Sequence, residues 1–193
     1  MSDVLGVRIV PPRGRKQIRK DTQQLRDVLG LAATPYFPIM QLVEWLLPLA
    51  DPEFVLEAVP DNELIGRSAE TIPDQHLIRV KQSVYDAACR GHPWARQIMA
   101  HEVAHYIYHD SKYVAYASPA PEEMIPKRFM PEYQANVFAA ELLAPVDLVR
   151  GLAPATIAQR FGVPEGMAKG QLRQAAHTKP PKRKKRSDKK SDR

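Results

Sequence analysis

The sequence has little of what marks an exported or membrane-embedded protein. It contains one cysteine, Cys89, among 193 residues, so no intrachain disulfide can form and a reducing, cytoplasmic location is expected. Its most apolar segment, Phe37 to Val59, is interrupted by prolines and acidic residues and cannot supply the roughly 20 consecutive apolar residues of a membrane span. The early residues are basic rather than apolar, which argues against a secretory signal. A globular protein that works in the cytoplasm without a membrane is therefore expected.

The formal net charge of +6 does not describe the body of the chain. Residues 179–193 contain nine of the 28 Lys and Arg residues and two of the 22 Asp and Glu residues. The rest of the chain carries 19 basic and 20 acidic side chains and is nearly neutral. The tail has no residues able to build a core and is predicted to be disordered. Two roles stay open for it: contact with nucleic acid or an acidic partner, and simple solubilisation.

The order of the expected elements is helices, a small sheet, then helices again. Apolar residues recur at helical spacing at both ends, and the middle of the chain has short runs of branched residues bounded by proline and aspartate. The expected helices before the sheet cover residues 15–30 and 37–47, and the expected strands cover 54–59, 64–65 and 76–80. The pattern predicts an α+β fold with a small, mostly antiparallel sheet packed against a helical core.

The segment IMAHEVAHYIYHD, residues 98–110, has histidines at a spacing of four. On a helix with 3.6 residues per turn, His101 and His105 lie about 40° apart on one face, so both imidazoles can bind one zinc ion. Glu102 lies about 100° further round the helix, where its carboxylate can take a proton from a zinc-bound water rather than bind the metal. The pattern therefore indicates a catalytic zinc site with Glu102 as general base.

A catalytic zinc normally takes a third protein ligand. His109 is displaced from His101 by about 12 Å along the helix axis, too far to share an ion, so a structural or supporting role is expected for it. Glu132 is the better candidate, because it opens a second predicted helix, residues 131–145, whose small-residue face can approach the histidine helix closely. Asn136, one turn further, can accept the far ring N–H of a ligating histidine. Three other glutamates are weaker candidates for the third ligand: Glu122, Glu123 and Glu141.

Two segments resemble the ImmA/IrrE metallopeptidases. They are AHEVAHYIYH, residues 100–109, and the pattern ExxANxFAAELLxP, which begins at Glu132. The strand HLIRV, residues 76–80, adds to the resemblance, which covers about residues 37–173. The sequence departs from the family pattern at two positions where an acidic residue and a methionine are common: Gln134 and Ala144. Neither residue is a candidate ligand, but both departures weaken any inference about a particular substrate.

The resemblance implies a gluzincin-like zinc protease with His101, His105 and Glu132 as ligands and Glu102 as base. Such proteins are often described as regulators that cut a repressor of the helix-turn-helix type, so a protein substrate of that kind is implied. On this interpretation the chain divides into a flexible N-terminus, a zinc metallopeptidase domain, a C-terminal helical pair and a disordered basic tail: residues 1–14, 15–150, 151–177 and 178–193.

Two features of the predicted site stay open. The strand at residues 76–80 is expected to dock an extended substrate peptide if it lies at the edge of the sheet. The residue that stabilises the oxyanion cannot be chosen from the sequence, and four tyrosines near the motif are candidates: Tyr106, Tyr108, Tyr113 and Tyr116.

Residues 154–174 have the pattern of a helix-turn-helix, with Thr156 as the cap of the first helix and a turn at Gly162. The second helix has few side chains that read bases and is weakened by Gly166 and Gly170. A helical pair packed on the body of the protein is therefore favoured over DNA binding. The alternative to a protease is a DNA-binding or protein-binding sensor whose zinc site is structural or vestigial.

Overall fold

The structure is a computed structural model and describes residues 8–109, 115–116 and 124–178. Several of the features discussed above lie outside these ranges: the basic tail from 179 onward, Tyr113, Glu122 and Glu123. In the described part of the chain the helices are α1 (Arg15–Val28), α2 (Ile39–Gln41), α3 (Leu47–Ala50), α4 (Gln82–Cys89), α5 (Pro93–Tyr108), α6 (Pro131–Leu143), α7 (Val146–Val149), α8 (Pro154–Phe161) and α9 (Glu165–Ala176). A π-helical segment, Leu42–Leu46, makes α2 and α3 continuous, and short 3-10 turns lie at Pro73–Gln75 and Lys127–Phe129.

The strands within the described ranges form one small sheet and one separate pair. The sheet contains β2 (Val55–Val59), β3 (Ala69–Ile72) and β4 (Leu77–Lys81) in the order β2-β4-β3. β2 runs parallel to β4, whereas β3 is antiparallel to it. The separate pair, β1 (Arg8–Ile9) and β5 (Ala115–Tyr116), is antiparallel. The predicted α+β class is confirmed, and the three-stranded sheet is mixed, with one parallel and one antiparallel pairing.

Two expectations about the sheet are wrong. Residues 64–65 form no strand, because local turn hydrogen bonds, such as that from Arg67 N to Leu64 O, satisfy the backbone there. The strand with the HLIRV sequence, β4, is not an edge strand, because β2 and β3 flank it on both sides. Its side chains Ile78 and Val80 are fully buried. In the described part of the sheet, the edge that faces α5 is β3.

The helices α5 and α6 pack against each other and form the centre of the molecule. Each begins with a proline in its first turn, where the missing N–H breaks no helical hydrogen bond. The facing surfaces contribute small side chains to the core, as the sequence predicts: Ala100 and Ala104 from α5, and Ala135 and Ala139 from α6, all at most 1% exposed. Because alanine adds little bulk, the two backbones can lie close together.

The C-terminal helices α8 and α9 pack on this body. The turn between them contains Gly162 at φ +62, a left-handed conformation that glycine adopts without strain. Thr156 is not the cap of α8, which starts earlier, at Pro154. Gln171 of α9 is buried and donates to the carbonyl oxygens of Ala140 and Ala144 at 3.1 and 2.8 Å. These bonds tie α9 to the end of α6.

None of the described helices is both long and apolar enough to cross a bilayer.

Candidate metal centre

Three side chains from α5 and α6 converge on one point. The Nε2 atoms of His101 and His105 are 2.9 Å apart. Glu132 places Oε2 3.2 Å from His101 Nε2 and Oε1 3.2 Å from His105 Nε2. The two histidine side chains are 19% and 14% exposed, whereas that of Glu132 is 69% exposed, so the cluster lies at the floor of a cleft open to solvent.

The donor set fits a single zinc ion. Two atoms bound to a tetrahedral zinc at about 2.1 Å lie about 3.4 Å apart, which is close to the three separations in the cluster. Two imidazole nitrogens and one carboxylate are also a common protein contribution to a catalytic zinc, which keeps a fourth position for water or substrate. The described residues include a second cluster with metal-binding atoms, Asp51, Glu53 and His76. There His76 bonds the two carboxylates through different ring nitrogens, Nδ1 to Asp51 and Nε2 to Glu53, the arrangement of an imidazole held between two acids.

The ionisation of Glu132 suits a ligand. Hydrogen bonds from His101 and His105 hold the pKa of this carboxyl well below its usual range. Burial lowers the pKa of His101, but the hydrogen bond with Glu132 and the charges of Glu102 and Glu132 outweigh it, and the net pKa is raised. Asn136 also hydrogen bonds His101 and raises its pKa. The predicted proximity of Asn136 to a histidine of the pair is therefore observed.

Glu102 is held beside the cluster by the edge strand β3. The Thr71 hydroxyl of β3 donates to Glu102 Oε2 at 2.7 Å and lies 3.1 Å from the Glu102 carbonyl oxygen. The Glu102 residue is 8% exposed, and it lines the cleft together with His101, His105 and Glu132. Its carboxylate is thus fixed at one oxygen and lies in the same cleft as the three donors.

His109 contacts His105 on the side of the ring that faces away from the cluster. Its Nδ1 lies 2.8 Å from His105 Nδ1, and its Nε2 lies 3.3 Å from Gln134 Oε1. The Gln134 amide nitrogen donates to the carbonyl oxygens of Pro11 and Arg128 at 2.8 and 2.7 Å. Both His109 and Gln134 are almost completely buried. A continuous chain of hydrogen bonds therefore runs from His105 to the backbone.

This chain determines which nitrogen of each imidazole carries a proton. Because the Gln134 amide nitrogen faces two carbonyl acceptors, its Oε1 must accept, and His109 Nε2 must donate. Burial and the neighbouring charge of His105 lower the pKa of His109 to about 3, so the ring is neutral and its Nδ1 accepts the proton of His105 Nδ1. The Nε2 atom of His105 faces Glu132, and a metal ion at this point would take the place of the proton that Nε2 shares with the carboxylate, while Nδ1 keeps its own proton.

Several other candidate residues lie away from the cluster. The hydroxyls of Tyr106 and Tyr108 donate to Asp51 and Asp21 and are not directed at the donors. Tyr113 and the side chain of Tyr116 lie outside the described residues. Glu141, one of the weaker ligand candidates, is buried between helices and bonds two arginines of α1 instead: Arg15 at 2.9 Å and Arg19 at 3.0 Å.

The sequence offered little sign of two contributors to the site. Thr71 lies 31 positions before Glu102 in a strand that was not expected there, and only the pairing of β3 with β4 brings it near α5. The role of Gln134 had a partial signal, since its amide occupies a position where the family pattern often has an acidic residue. That departure is explained by the two backbone carbonyls that the amide nitrogen bonds.

The paired helices and their two-histidine, one-glutamate cluster are typical of zinc metallopeptidases. Residues 90–173 match the model of a peptidase family, Peptidase_M78, described as the IrrE N-terminal-like domain. The match includes α5, α6 and the cluster, and it confirms the predicted resemblance to the ImmA/IrrE family over this segment.

One solved structure that is similar to the chain is named "Mycobacterium tuberculosis transcriptional regulator". It is 17% identical, with a TM-score of 0.51, over 80% of this chain and 46% of the regulator. The chain thus spans about half the length of that protein, and the likeness concerns the fold alone. No curated protein shows significant sequence similarity to the chain.

Proposed function

We propose that the protein is a zinc-dependent endopeptidase that hydrolyses a peptide bond in a specific intracellular protein. The observation that supports this most directly is the convergence of His101, His105 and Glu132 on one point with Glu102 beside them. The peptidase family match over residues 90–173 supports the same class of activity. The single cysteine agrees with a cytoplasmic site of action.

In this proposal, His101, His105 and Glu132 hold the ion and Glu102 is the general base. Zinc at this position would lower the pKa of water toward about 7 and polarise the carbonyl of the substrate. Glu102 accepts the proton of the attacking water and passes it to the amine that leaves. Thr71 keeps one oxygen of Glu102 occupied, so the other is free to face the water. Among the described strands none pairs with the outer edge of β3, and this edge could offer main-chain hydrogen bonds to an extended peptide.

The proposed substrate is a regulatory protein, with a helix-turn-helix repressor as the expected kind. The family resemblance supports this choice. The test is to add the zinc-loaded protein to a lysate of cells that lack it and to sequence the new protein N-termini by mass spectrometry. We expect a small set of new termini that disappears when a chelator is present and returns when zinc is restored. Termini that persist with the chelator would refute a metal-dependent cleavage.

A second candidate is a DNA-binding or protein-binding sensor with a structural zinc site. The pair α8 and α9, with the basic residues 179–193 after it, is the feature that favours it. The name of the similar Mycobacterium tuberculosis structure is consistent with a regulatory role. Affinity for duplex DNA that falls steeply with salt, and that is lost when residues 154–193 are deleted, would support this function over proteolysis.

A Thr71→Val variant is expected to cleave about tenfold more slowly than the wild-type protein with unchanged zinc content. Valine has nearly the same shape but cannot donate to Glu102, and a hydrogen bond to a charged group contributes roughly 1.5–3 kcal/mol. Steady-state kinetics on a cleaved peptide measure the effect. Thr71→Ser, which keeps the hydroxyl, should restore most of the rate, and equal rates for the valine and serine variants would contradict the role of Thr71.

A His109→Ala variant is expected to bind zinc about 10- to 100-fold more weakly, the usual effect of removing a residue that orients a metal ligand. The reason is that His105 loses the acceptor that keeps its proton on Nδ1. Titration against a fluorescent zinc chelator measures the affinity. His177, which is exposed at the end of α9, supplies the control, and His177→Ala should bind zinc normally. Unchanged affinity in His109→Ala would show that the hydrogen-bond chain has no part in metal binding.

A further inference from the structure

A small pocket opens next to the cluster, on the side of the first turns of α5. Trp94, Ile98 and His101 share one face of this helix at positions i, i+4 and i+7, and all three line the pocket. Ala69 of β3 lies across from them. The pocket holds about 210 Å³ and is completed by two neutral polar residues, Ser68 and Gln97, and by Glu102. Its wall away from the cluster is therefore mainly apolar and uncharged.

The position of Glu102 tells which part of a substrate would enter this pocket. Glu102 and His101 line both the pocket and the wider cleft, whereas His105 and Glu132 line only the cleft. The pocket thus lies on the Glu102 side of the cluster. In the proposed mechanism Glu102 gives a proton to the leaving amine. That amine belongs to the residue that follows the cleaved bond, so the side chain of that residue lies nearest the pocket.

We propose that the substrate has a medium-sized apolar residue, of the leucine or methionine class, directly after the cleaved bond. Trp94 and Ile98 select this residue. The proposal rests on the proposed function. An acidic side chain in this position would leave water for a mainly apolar wall whose lining includes the carboxylate of Glu102, so it would gain no partner of opposite charge there, which is unfavourable. An alanine would leave the pocket unfilled. Trp94 is 49% exposed in the free protein, so its ring is available to cover an incoming side chain.

The test uses three malonyl hydroxamates that differ only in one side chain: isobutyl, methyl and carboxymethyl. The hydroxamate binds the zinc of the loaded protein, and the side chain then lies where the residue after the cleaved bond would lie. We expect the isobutyl compound to bind about tenfold more tightly than the methyl compound. This ratio is at the lower end of the range for apolar pockets, because this pocket is open to solvent. The carboxymethyl compound should bind most weakly.

Trp94→Ala and Ile98→Ala should each reduce the isobutyl preference several-fold and change the affinity of the methyl compound little. The matched control is Ile107→Ala, since Ile107 is an exposed apolar residue of the same helix outside the pocket. It should keep the full preference. Equal affinities for the three compounds, or a preference for the carboxymethyl compound, would overturn the assignment even if a variant failed to fold, because the wild-type series alone decides it.

The result of the hydroxamate test can be distinguished from a failure of the proposed function, because hydroxamate binding requires the metal but no turnover. Glu102-dependent cleavage without an apolar preference would refute the pocket assignment and keep the protease. Selective hydroxamate binding without any cleavage would refute the protease, and the assignment of the pocket to the residue after the cleaved bond would fall with it. Failure of all three compounds to bind the zinc-loaded protein would contradict both.

Discussion

A Glu102→Gln variant is expected to bind zinc as tightly as the wild-type protein and to cleave peptides about 10²- to 10⁴-fold more slowly, the usual contribution of a general base. The amide has the shape of the carboxylate, and its oxygen can still accept the hydrogen bond that Thr71 donates at 2.7 Å. It cannot take a proton from water at neutral pH. Turnover number and zinc content, measured on the same preparation, test the prediction.

Glu165→Gln is a matched control for this substitution. Glu165 is exposed in the first turn of α9, where it pairs with Lys169, and surface pairs of this kind contribute little. Its rate should equal that of the wild-type protein. If Glu102→Gln cleaved at the wild-type rate with a full complement of zinc, the base would have to be another group. If instead it lost zinc, Glu102 would belong among the ligands.

A Glu141→Ala variant is expected to lower the free energy of unfolding by about 3 kcal/mol. The Glu141 side chain is fully buried and bonds Arg15 and Arg19 of α1, so its removal leaves two guanidinium groups without their carboxylate. Loss of one partner from a buried ion pair typically costs about 3–5 kcal/mol. The lower end applies here because the arginine side chains are 27% and 14% exposed and regain some contact with water. Urea denaturation followed by circular dichroism measures the change.

Glu141→Gln separates charge from packing in the same experiment. Its amide fills the same space and retains one acceptor, so we expect roughly half the loss. Neither variant should change the affinity for zinc of the folded protein, because Glu141 lies more than two helical turns beyond Glu132 on α6. A zinc affinity that fell with Glu141→Ala, measured well below the unfolding midpoint, would link this ion pair to the metal centre in a way that the contacts do not predict.

The sequence predicts the parts of the site that depend on helix periodicity. The relation between His101 and His105 follows from 3.6 residues per turn, and the small residues of α6 indicate which helix approaches them. The structure brings Glu132 to this pair as the spacing predicts. The histidine helix and its partner start at Pro93 and Pro131, both visible in the sequence. These features are local, so a single sequence contains the information.

The sheet was harder to predict from the sequence, because strand pairing depends on residues far apart in the chain. The segment 69–72 has no strong alternation, and it becomes a strand only through its register with β4, in which Thr71 lies opposite Ile78. β4 has the stronger strand pattern, but that pattern reflects one buried face of a central strand, on which Ile78 and Val80 lie, rather than an exposed edge. The residue that holds Glu102 and the edge offered to a peptide therefore emerged only from the three-dimensional arrangement.

Zinc content decides whether the three convergent side chains act as one metal centre. Protein purified without added metal chelators should contain about one zinc per chain by mass spectrometry of the metal. His101→Ala, His105→Ala and Glu132→Ala should each lose most of it while remaining folded by circular dichroism, and Glu165→Gln should retain it. Full zinc occupancy in a folded Glu132→Ala variant, with an affinity equal to that of the wild-type protein, would show that α6 supplies no ligand and would contradict the proposed centre.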